Sequence, residues 1–171
     1  MRVPGSDRVV EGSCPADPAL AGYVVLDFDG PDAWYEEDEP LHGHPRDPFH
    51  RIDVRAGSRH VRVSSGGRLL AESTRPRLVF ETLLPARWYL PAEDVTATLV
   101  PSDTRTWCAY EGEASHWSAE TGDGLVRDAV WSYRDPLPDA AQLRDLLCFS
   151  DERVDVAVDG VNRSRPVTPW S

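Results

Sequence analysis

The sequence predicts a mostly β protein of the α+β class, a sandwich or barrel with two short helices attached. Short segments in which apolar and polar residues alternate recur along the chain, and glycine- or proline-containing turns separate them. Only two segments have a helical pattern. The chain has 171 residues, of which 40% are apolar and 27% charged. This composition is typical of a globular protein, and the length fits one domain.

The N-terminal part has weak periodicity. Residues 1–20 are rich in glycine, proline, serine and aspartate, which predicts a mobile arm. Residues 23–28 predict an opening strand. A proline in the first turn then favours a short acidic helix over 32–39, with Trp34 and Tyr35 as its apolar anchors.

The rest of the chain predicts strands and one further helix. Glycine pairs at Gly66-Gly67 and around Asp123 indicate tight turns between strands. A helix is expected to begin at Leu137 and to continue through Leu147, with Cys148 buried on its face. The predicted strands cover residues 51–55, 60–64, 68–72, 78–80, 95–100, 107–110, 114–119, 129–133 and 154–158.

The charge of the chain excludes several functions. The formal net charge is −11, which argues against nucleic-acid and anionic-membrane partners. All 18 basic residues are arginines, so lysine Schiff-base chemistry, a pyridoxal phosphate anchor and a Walker-A loop are excluded. We expect a cytoplasmic protein, since no signal-peptide segment and no membrane-spanning run is present. We expect no cofactor, and reduced cysteines.

A series of short motifs follows one another between residues 24 and 160. It includes Trp34-Tyr35-Glu36-Glu37-Asp38-Glu39, Gly43-His44-Pro45-Arg46-Asp47-Pro48-Phe49-His50, Ser58-Arg59-His60-Val61-Arg62-Val63, Phe80-Glu81-Thr82, Pro85-Ala86-Arg87-Trp88-Tyr89-Leu90-Pro91 and Trp131-Ser132-Tyr133. The series resembles the bacterial domain-of-unknown-function family 427. That resemblance implies a β-tent fold, similar in outline to methionine sulfoxide reductase B, and it brings a nucleotidyltransferase-like label. It supplies no established catalytic residues.

The sequence departs from that family in one segment. The family usually has Cys-Pro-Tyr-Lys-Gly followed by Ala-x-Tyr-Trp-Ser. Here Glu111 stands in place of the lysine and His116 in place of a tyrosine. If the lysine of the family binds an anion, this chain has reversed the charge at that position. The zinc-binding cysteine pairs of many β-tent proteins are also missing.

An arginine-rich segment lies between His44 and Arg77. Its arginines either bind an anionic ligand or pair with acidic residues and solvent. Arg59 alternates with Val61 and Val63, so we expect it to face a core or pocket, whereas Arg62 is expected on the surface.

Glu81 ends an apolar strand, where burial favours general acid–base chemistry. The alternative is a structural ion pair with Arg75 or Arg87. We expect Arg75 and Glu81 to be close together and shielded from water.

Cys108 and His116 are cross-strand neighbours if Gly112 centres a tight turn. An imidazole beside the thiol would lower its pKa and activate it as a nucleophile. If the strand continues instead, the two residues are roughly 26 Å apart, and Cys108 is a half-buried packing residue under Trp107 and Trp117.

A histidine-rich loop contains His42, His44 and His50. These side chains either bind a metal or form local hydrogen bonds in a proline-fixed loop. We expect the chain to fold without metal.

Together these patterns predict one β-rich domain over residues 21–161, between the arm and a tail at 162–171. We expect this domain to bind a small polar or anionic molecule in a pocket. If the protein is an enzyme, it also transforms that molecule. The alternatives are a non-catalytic ligand-binding or accessory protein and a protein-interaction domain that uses the acidic Trp34-Tyr35 helix. A homodimer is compatible with each of them. The candidate catalytic residues are Glu81, Cys108, Tyr110 and His116. The candidate substrate-binding residues are Arg59, Arg75, Arg87, Trp88, Tyr89 and Trp117, and Trp131 is a further candidate wall.

Overall fold

A computed structural model describes residues 9–168 of the chain. The contacts divide it into two compact units, of which the first ends at Pro45 and the second begins at Arg46. Residues 1–8 of the predicted arm and residues 169–171 of the predicted tail lie outside the described residues. None of the helices within 9–168 is long and apolar enough to span a membrane.

The first unit contains two small antiparallel pairs of strands. A single 3₁₀ turn, Pro18–Leu20, lies between the members of the first pair. The first pair joins β1 to β2 and the second joins β3 to β4. The four strands are β1 (Gly12–Ser13), β2 (Val25–Leu26), β3 (Trp34–Glu36) and β4 (Glu39–Leu41).

The predicted acidic helix over 32–39 is wrong, because this segment is a β-hairpin. Trp34 pairs with Leu41, and Glu37 turns the chain with a φ of 53°. Aromatic residues favour strands, and Pro40 is tolerated because the pair has no further strand beside it. The Trp34 indole N–H donates to the carbonyl oxygen of Phe28 at 2.6 Å, and the two rings stack.

The second unit consists of eleven strands and two 3₁₀ helices. The 3₁₀ helices are Ala92–Asp94 and Pro138–Leu143. The strands are β5 (Ile52–Ala56), β6 (Val61–Ser65), β7 (Arg68–Ser73), β8 (Arg77–Glu81), β9 (Arg87–Leu90), β10 (Leu99–Cys108), β11 (Gly112–Thr121), β12 (Gly124–Tyr133), β13 (Leu147–Phe149), β14 (Asp155–Val158) and β15 (Val161–Asn162).

These strands form two antiparallel sheets, which confirms the mostly β class. The larger has seven strands in the order β10-β11-β12-β13-β9-β8-β5, and the smaller has four in the order β15-β14-β6-β7. One core cluster combines side chains of both sheets, for example Val61 and Val156 with Leu90 and Phe149. This arrangement is consistent with a sandwich. No closed barrel forms within the described part of the chain.

A second core cluster lies on the other face of the seven-stranded sheet. It joins Tyr89, Tyr133 and Cys148 to Ala140 and Leu143 of the second 3₁₀ helix. The predicted C-terminal helix is therefore wrong over its second half, where the chain leaves the helix and enters a strand.

The predicted helix from Leu137 stops early. Ala140 has non-helical angles, Asp145 adopts a φ of 59°, and Leu147 to Phe149 form β13 between β12 and β9. Cys148 is therefore buried in a central strand and not on a helix face. A short apolar run is compatible with either a buried helix or a strand that is covered on both faces, so the sequence pattern could not separate them.

The turn between β10 and β11 folds over the face with the second core. Cys108 is in register with Gly112, which leaves Ala109, Tyr110 and Glu111 as the turn. The Tyr110 ring stacks on His50 with centroids 4.2 Å apart. Because His50 immediately precedes the β5 region, this turn connects the two edges of the seven-stranded sheet.

Two glycine turns also touch one another. The Gly122 N–H donates to the carbonyl oxygen of Ser65 at 3.1 Å. A Cβ on Gly122 would overlap the backbone of Gly66. The hairpin turn of the smaller sheet therefore requires a glycine at position 122 of the larger sheet.

We expect Gly122→Ala to destabilise the protein by about 3 kcal/mol, since backbone atoms must move to make room. The control is Gly67→Ala, at a position that has a φ of 75° but faces open space, so that only backbone strain opposes the new side chain. It should cost only about 1 kcal/mol. Urea unfolding of both variants measures the difference, and equal losses would contradict the close contact.

Candidate functional site

A buried carboxyl group lies at the centre of the second core. Glu111 is only 6% exposed. The Tyr133 hydroxyl donates to its Oε2 at 2.7 Å, and the Tyr89 hydroxyl donates to its Oε1 at 3.3 Å. Both tyrosines are almost fully buried. A buried carboxyl group that is held by two hydroxyl donors and has no ion pair within residues 9–168 is a candidate functional group.

Strand register explains why these aromatic residues converge. Cys148 on β13 is in register with Trp131 on one side and Tyr89 on the other. Tyr133 is two residues beyond Trp131, so it lies on the same face of the sheet. The turn after Cys108 then places Glu111 over the three aromatic side chains.

Trp131 extends the hydrogen bonds outward from the carboxyl group. Its indole N–H donates to the Tyr89 hydroxyl oxygen at 2.9 Å, and the two rings meet edge to face. An indole can only donate, so the Tyr89 oxygen is the acceptor here and its own proton is directed to Glu111.

Burial raises the pKa of Glu111 to about 7. The Tyr133 hydrogen bond opposes this shift, the nearby Glu81 carboxylate adds to it, and the Tyr89 hydrogen bond opposes it again. Among residues 9–168 no arginine or histidine forms an ion pair with Glu111. The group is therefore near its midpoint at neutral pH, where a general acid or base is most effective.

A histidine–glutamate pair lies at the more exposed edge. His50 Nε2 is 2.8 Å from Glu81 Oε1, and the two side chains are 19% and 13% exposed. The Tyr110 ring stacks on His50, and its hydroxyl oxygen accepts the Asp47 N–H at 2.7 Å. Arg46 lies over the other part of the Tyr110 ring, 5.0 Å from its centroid.

These residues define what we call the Glu111 cluster. Its members are Glu111, Tyr89, Tyr133, Trp131, Cys108, Tyr110, Glu81 and His50. Of the four candidate catalytic residues, the structure brings Glu81, Cys108 and Tyr110 together here. It does not bring His116.

The prediction of a cross-strand Cys108–His116 pair is wrong. The turn is centred at Tyr110, so Cys108 faces Gly112. His116 lies opposite Trp131 and its Nε2 is 2.9 Å from the hydroxyl of Thr106. Burial lowers the pKa of His116.

The predicted activation of the Cys108 thiol is also wrong. Burial, followed by the charge of Glu111, raises the pKa of Cys108 to about 11. Its sulfur accepts the Tyr110 N–H at 3.4 Å. At neutral pH Cys108 is a neutral thiol, a poor nucleophile.

The predicted arginine lining is not part of the cluster. Arg59 is exposed and pairs with Asp159 at 2.6 Å, because it precedes β6 and the strand alternation does not extend to it. Arg62 lies on the surface, as predicted. The expected pairing of Glu81 with Arg75 is wrong.

Arg75 instead binds Glu93 at 2.8 Å and Asp94 at 3.1 Å. It borders a surface cavity of about 300 Å³ that His60 and Glu72 also line. The acidic partners of these arginines come from distant parts of the chain, which local sequence patterns do not indicate.

Arg87 forms a separate buried ion pair. It binds Glu152 through two hydrogen bonds of 3.0 and 2.5 Å, and not Glu81. Burial opposes the ionised form of Glu152, but the Arg87 hydrogen bond and others lower its pKa to about 2. The guanidinium lies 5.6 Å from the Trp131 ring centroid, behind the Glu111 cluster.

The two remaining aromatic candidates lie elsewhere. Trp88 is packed in the core between the sheets. Trp117 borders a cavity of about 240 Å³ together with Leu99 and Arg134. Of the six candidate substrate-binding residues, only Tyr89 belongs to the Glu111 cluster, and the further candidate wall Trp131 belongs to it as well.

The histidine-rich loop divides between the two units, with His42 and His44 in the first and His50 in the second. No group of three or more histidine, cysteine, aspartate or glutamate side chains within 9–168 is arranged to hold a metal ion.

Sequence reasoning missed the roles of Glu111, Tyr133 and His50. Glu111 was noted as a departure from a family motif, but not as a site residue. The signal that could have found it was a carboxylate in a short turn between two long strands. Tyr133 and Trp131 share a face of one strand by simple alternation, which was also visible.

Residues 53–160 match the model of a protein family described as Domain of unknown function (DUF427). The chain belongs to this family. This confirms the resemblance inferred from the motifs. The matched range contains all members of the Glu111 cluster except His50. No curated protein matches the chain.

The raised pKa of Glu111 predicts a loss of stability as the pH rises. The folded protein holds a proton on Glu111 up to about pH 7, whereas the unfolded chain releases it near 4.5. The resulting stability is present below pH 4.5 and is lost through pH 7. We expect Glu111→Gln to remove this pH dependence. Between pH 4.5 and pH 8 the free energy of unfolding of the wild type should fall by roughly 3 kcal/mol more than that of the variant. Urea unfolding at both pH values tests this, and parallel pH dependences of the two proteins would contradict it.

The raised pKa of Cys108 predicts slow alkylation. In a Cys14→Ser background, Cys108 should react with iodoacetamide at pH 7 far more slowly than a free cysteine. Glu111→Gln should accelerate the reaction, because a neighbouring negative charge is removed. The exposed Cys14 of the wild type is the reference. If Cys108 is alkylated quickly, and at the same rate with Glu111 as with Glu111→Gln, the raised pKa of its thiol is contradicted.

Proposed function

We propose that this protein binds a small polar molecule at the Glu111 cluster and transfers a proton to or from it through Glu111. The observation that carries the proposal is a buried carboxyl group that two tyrosine hydroxyls hold and no arginine pairs with among residues 9–168. Burial raises its pKa to about 7. A structural carboxylate in a core is normally paired with a cation. Glu111 has no such partner among residues 9–168, so its protonation state can follow a ligand.

The charge of the cluster favours an uncharged or cationic ligand over an anionic one. Two carboxyl groups, Glu81 and Glu111, influence one another here. The arginines expected to bind an anion are occupied by Asp159, Glu93, Asp94 and Glu152. Arg46, which lies over Tyr110, is paired with Asp139. An anion would thus meet the like charge of Glu81 and Glu111. This refines the broader expectation of a polar or anionic ligand.

Each residue then has a distinct part. Glu111 exchanges the proton. Glu81 and His50 are half-buried and bind the polar group of the ligand, and Tyr110 supplies an aromatic face beside them. Cys108 acts as a neutral neighbour and not as a nucleophile.

Four finer expectations from the sequence stay predictions. They are the β-tent fold similar to methionine sulfoxide reductase B, the cytoplasmic location, the homodimer, and the absence of nucleic-acid, membrane and cofactor partners. Binding without chemistry, as an accessory protein, is the alternative that the experiment below separates from proton transfer.

Benzylamine, benzamide and benzoate are suitable probes, because they present a cationic, an uncharged and an anionic group on the same ring. We expect benzylamine and benzamide, but not benzoate, to shift the NMR signals of His50 and Tyr110. Glu81→Gln should weaken benzylamine binding about tenfold, the effect of one charged hydrogen bond. The matched control is Glu72→Gln, which disrupts a similar His60–Glu72 pair on the other sheet.

Calorimetry in buffers of different ionisation enthalpy tests the proton transfer. Benzylamine should release a proton from wild-type protein at pH 7, and Glu111→Gln should bind it without release. Binding without any release in the wild type would support the accessory role. Preference for benzoate, or no binding of the three probes, would contradict the proposed site.

A further inference from the structure

Trp131 lies between a buried ion pair and the Glu111 cluster. On one side the Arg87 guanidinium faces its ring at 5.6 Å, and Arg87 is fixed by two hydrogen bonds to Glu152. On the other side its indole N–H donates to Tyr89 at 2.9 Å. Tyr89 in turn donates to Glu111. One continuous set of contacts thus joins Arg87 to the carboxyl group.

We propose that Trp131 is a positioning residue that fixes the Tyr89 hydroxyl as a hydrogen-bond donor to Glu111. This inference rests on the proposed role of Glu111 in proton transfer. The hydrogen bond of Trp131 goes to Tyr89 and that of Tyr89 goes to Glu111, so Trp131 acts on the carboxyl group through Tyr89.

The hydrogen-bonding capacity of the groups gives the reason. A phenol has one proton to donate, and an indole N–H can only donate. When Trp131 donates to the Tyr89 oxygen, that oxygen is used as an acceptor and its proton points away from Trp131. The nearest acceptor in that direction is Glu111 Oε1, at 3.3 Å.

The consequence is a preference for the ionised form of Glu111. Hydrogen bonds donated to a carboxylate favour its charged form. The charged and titratable groups that face Glu111 are Glu81 from β8, Tyr89 from β9, Cys108 from β10 and Tyr133 from β12. Of the two tyrosines that donate to Glu111, Tyr89 alone accepts a hydrogen bond from another side chain within residues 9–168.

Arg87 has a supporting part in the same arrangement. A guanidinium over an indole ring is attracted to its electron-rich face. Because Glu152 holds Arg87 in place, the indole ring is held in the plane in which its N–H meets Tyr89. Arg87 was expected to bind substrate, but the structure places it behind the site.

Trp88 provides a matched control. It is also a buried tryptophan of the seven-stranded sheet, one residue before Tyr89 on β9. Its side chain lies on the opposite face, and its indole N–H has no hydrogen-bond partner among the described residues. Trp88→Phe therefore removes a similar volume without removing a donor to Tyr89.

The test measures the pKa of Glu111 by NMR titration of its side-chain carboxyl carbon. We expect Trp131→Phe to raise this pKa by about one unit, because the Tyr89 proton is no longer directed to the carboxylate. Tyr89→Phe should raise it by a similar amount, and the double variant by no more than either. Trp88→Phe should leave it unchanged even if it lowers stability.

A measurement on the wild-type protein tests the proposal even if the Trp131 and Tyr89 variants fail to fold. The indole N–H signal of Trp131 should shift with pH at the same midpoint as Glu111, while that of Trp88 stays constant. In Glu111→Gln the Trp131 shift should disappear.

The outcomes separate this proposal from the proposed function. A wild-type Glu111 that titrates near 4 would overturn the proton-transfer role itself. Two results would refute only the positioning role, provided that wild-type Glu111 titrates near 7. One is a Glu111 pKa that Trp131→Phe does not change. The other is an indole N–H signal of Trp131 that does not shift with pH. If Trp88→Phe raises the pKa of Glu111 as much as Trp131→Phe does, the effect is one of general packing. That result would also refute the positioning role of Trp131.

Discussion

The hydrogen bonds from Tyr89 and Tyr133 to Glu111 are the interaction on which the site depends. They fasten the turn of residues 109–111 onto the face of the seven-stranded sheet. With the turn in this position, Tyr110 reaches His50 beside the opposite edge strand. Two edge strands with five strands between them in the sheet order are thereby connected without strand pairing. Burial raises the pKa of the carboxyl group, and the same two hydrogen bonds oppose that rise.

The distribution of charge around this carboxyl group follows from how the arginines are used. Each arginine expected at the site is occupied by carboxylates from another part of the chain, and Arg87 in particular is buried against Glu152. Within residues 9–168 no arginine or histidine pairs with Glu111, so burial and Glu81 raise its pKa towards neutrality. In the proposed function, the charge reversal relative to the family motif supplies the proton-transfer group, and the same charge disfavours an anionic ligand.

Much of the fold could be predicted from the sequence, because alternation and glycine turns are local signals. The strands at Val61 and Val156 and the turn at Gly66 are examples. The errors have physical causes. The segment around Glu37 turns through a left-handed residue, and the run at Cys148 is a strand covered on both faces. For the site, Glu81, Tyr89, Cys108 and Tyr110 were named, but their partners depend on strand register and on which carboxylates reach which arginines. Those are long-range contacts that no local pattern encodes.

The central claim has two parts. Glu111 is protonated below about pH 7. Once it is ionised, the hydroxyls of Tyr89 and Tyr133 both donate to it. Neutron crystallography of deuterium-exchanged crystals at two pH values observes this directly. The account predicts a deuteron on Glu111 at pH 5 and none at pH 9. At pH 9 the hydroxyl deuterons of Tyr89 and Tyr133 should both point at its oxygens. An ionised Glu111 at pH 5, or a Tyr89 deuteron directed elsewhere at pH 9, would contradict it.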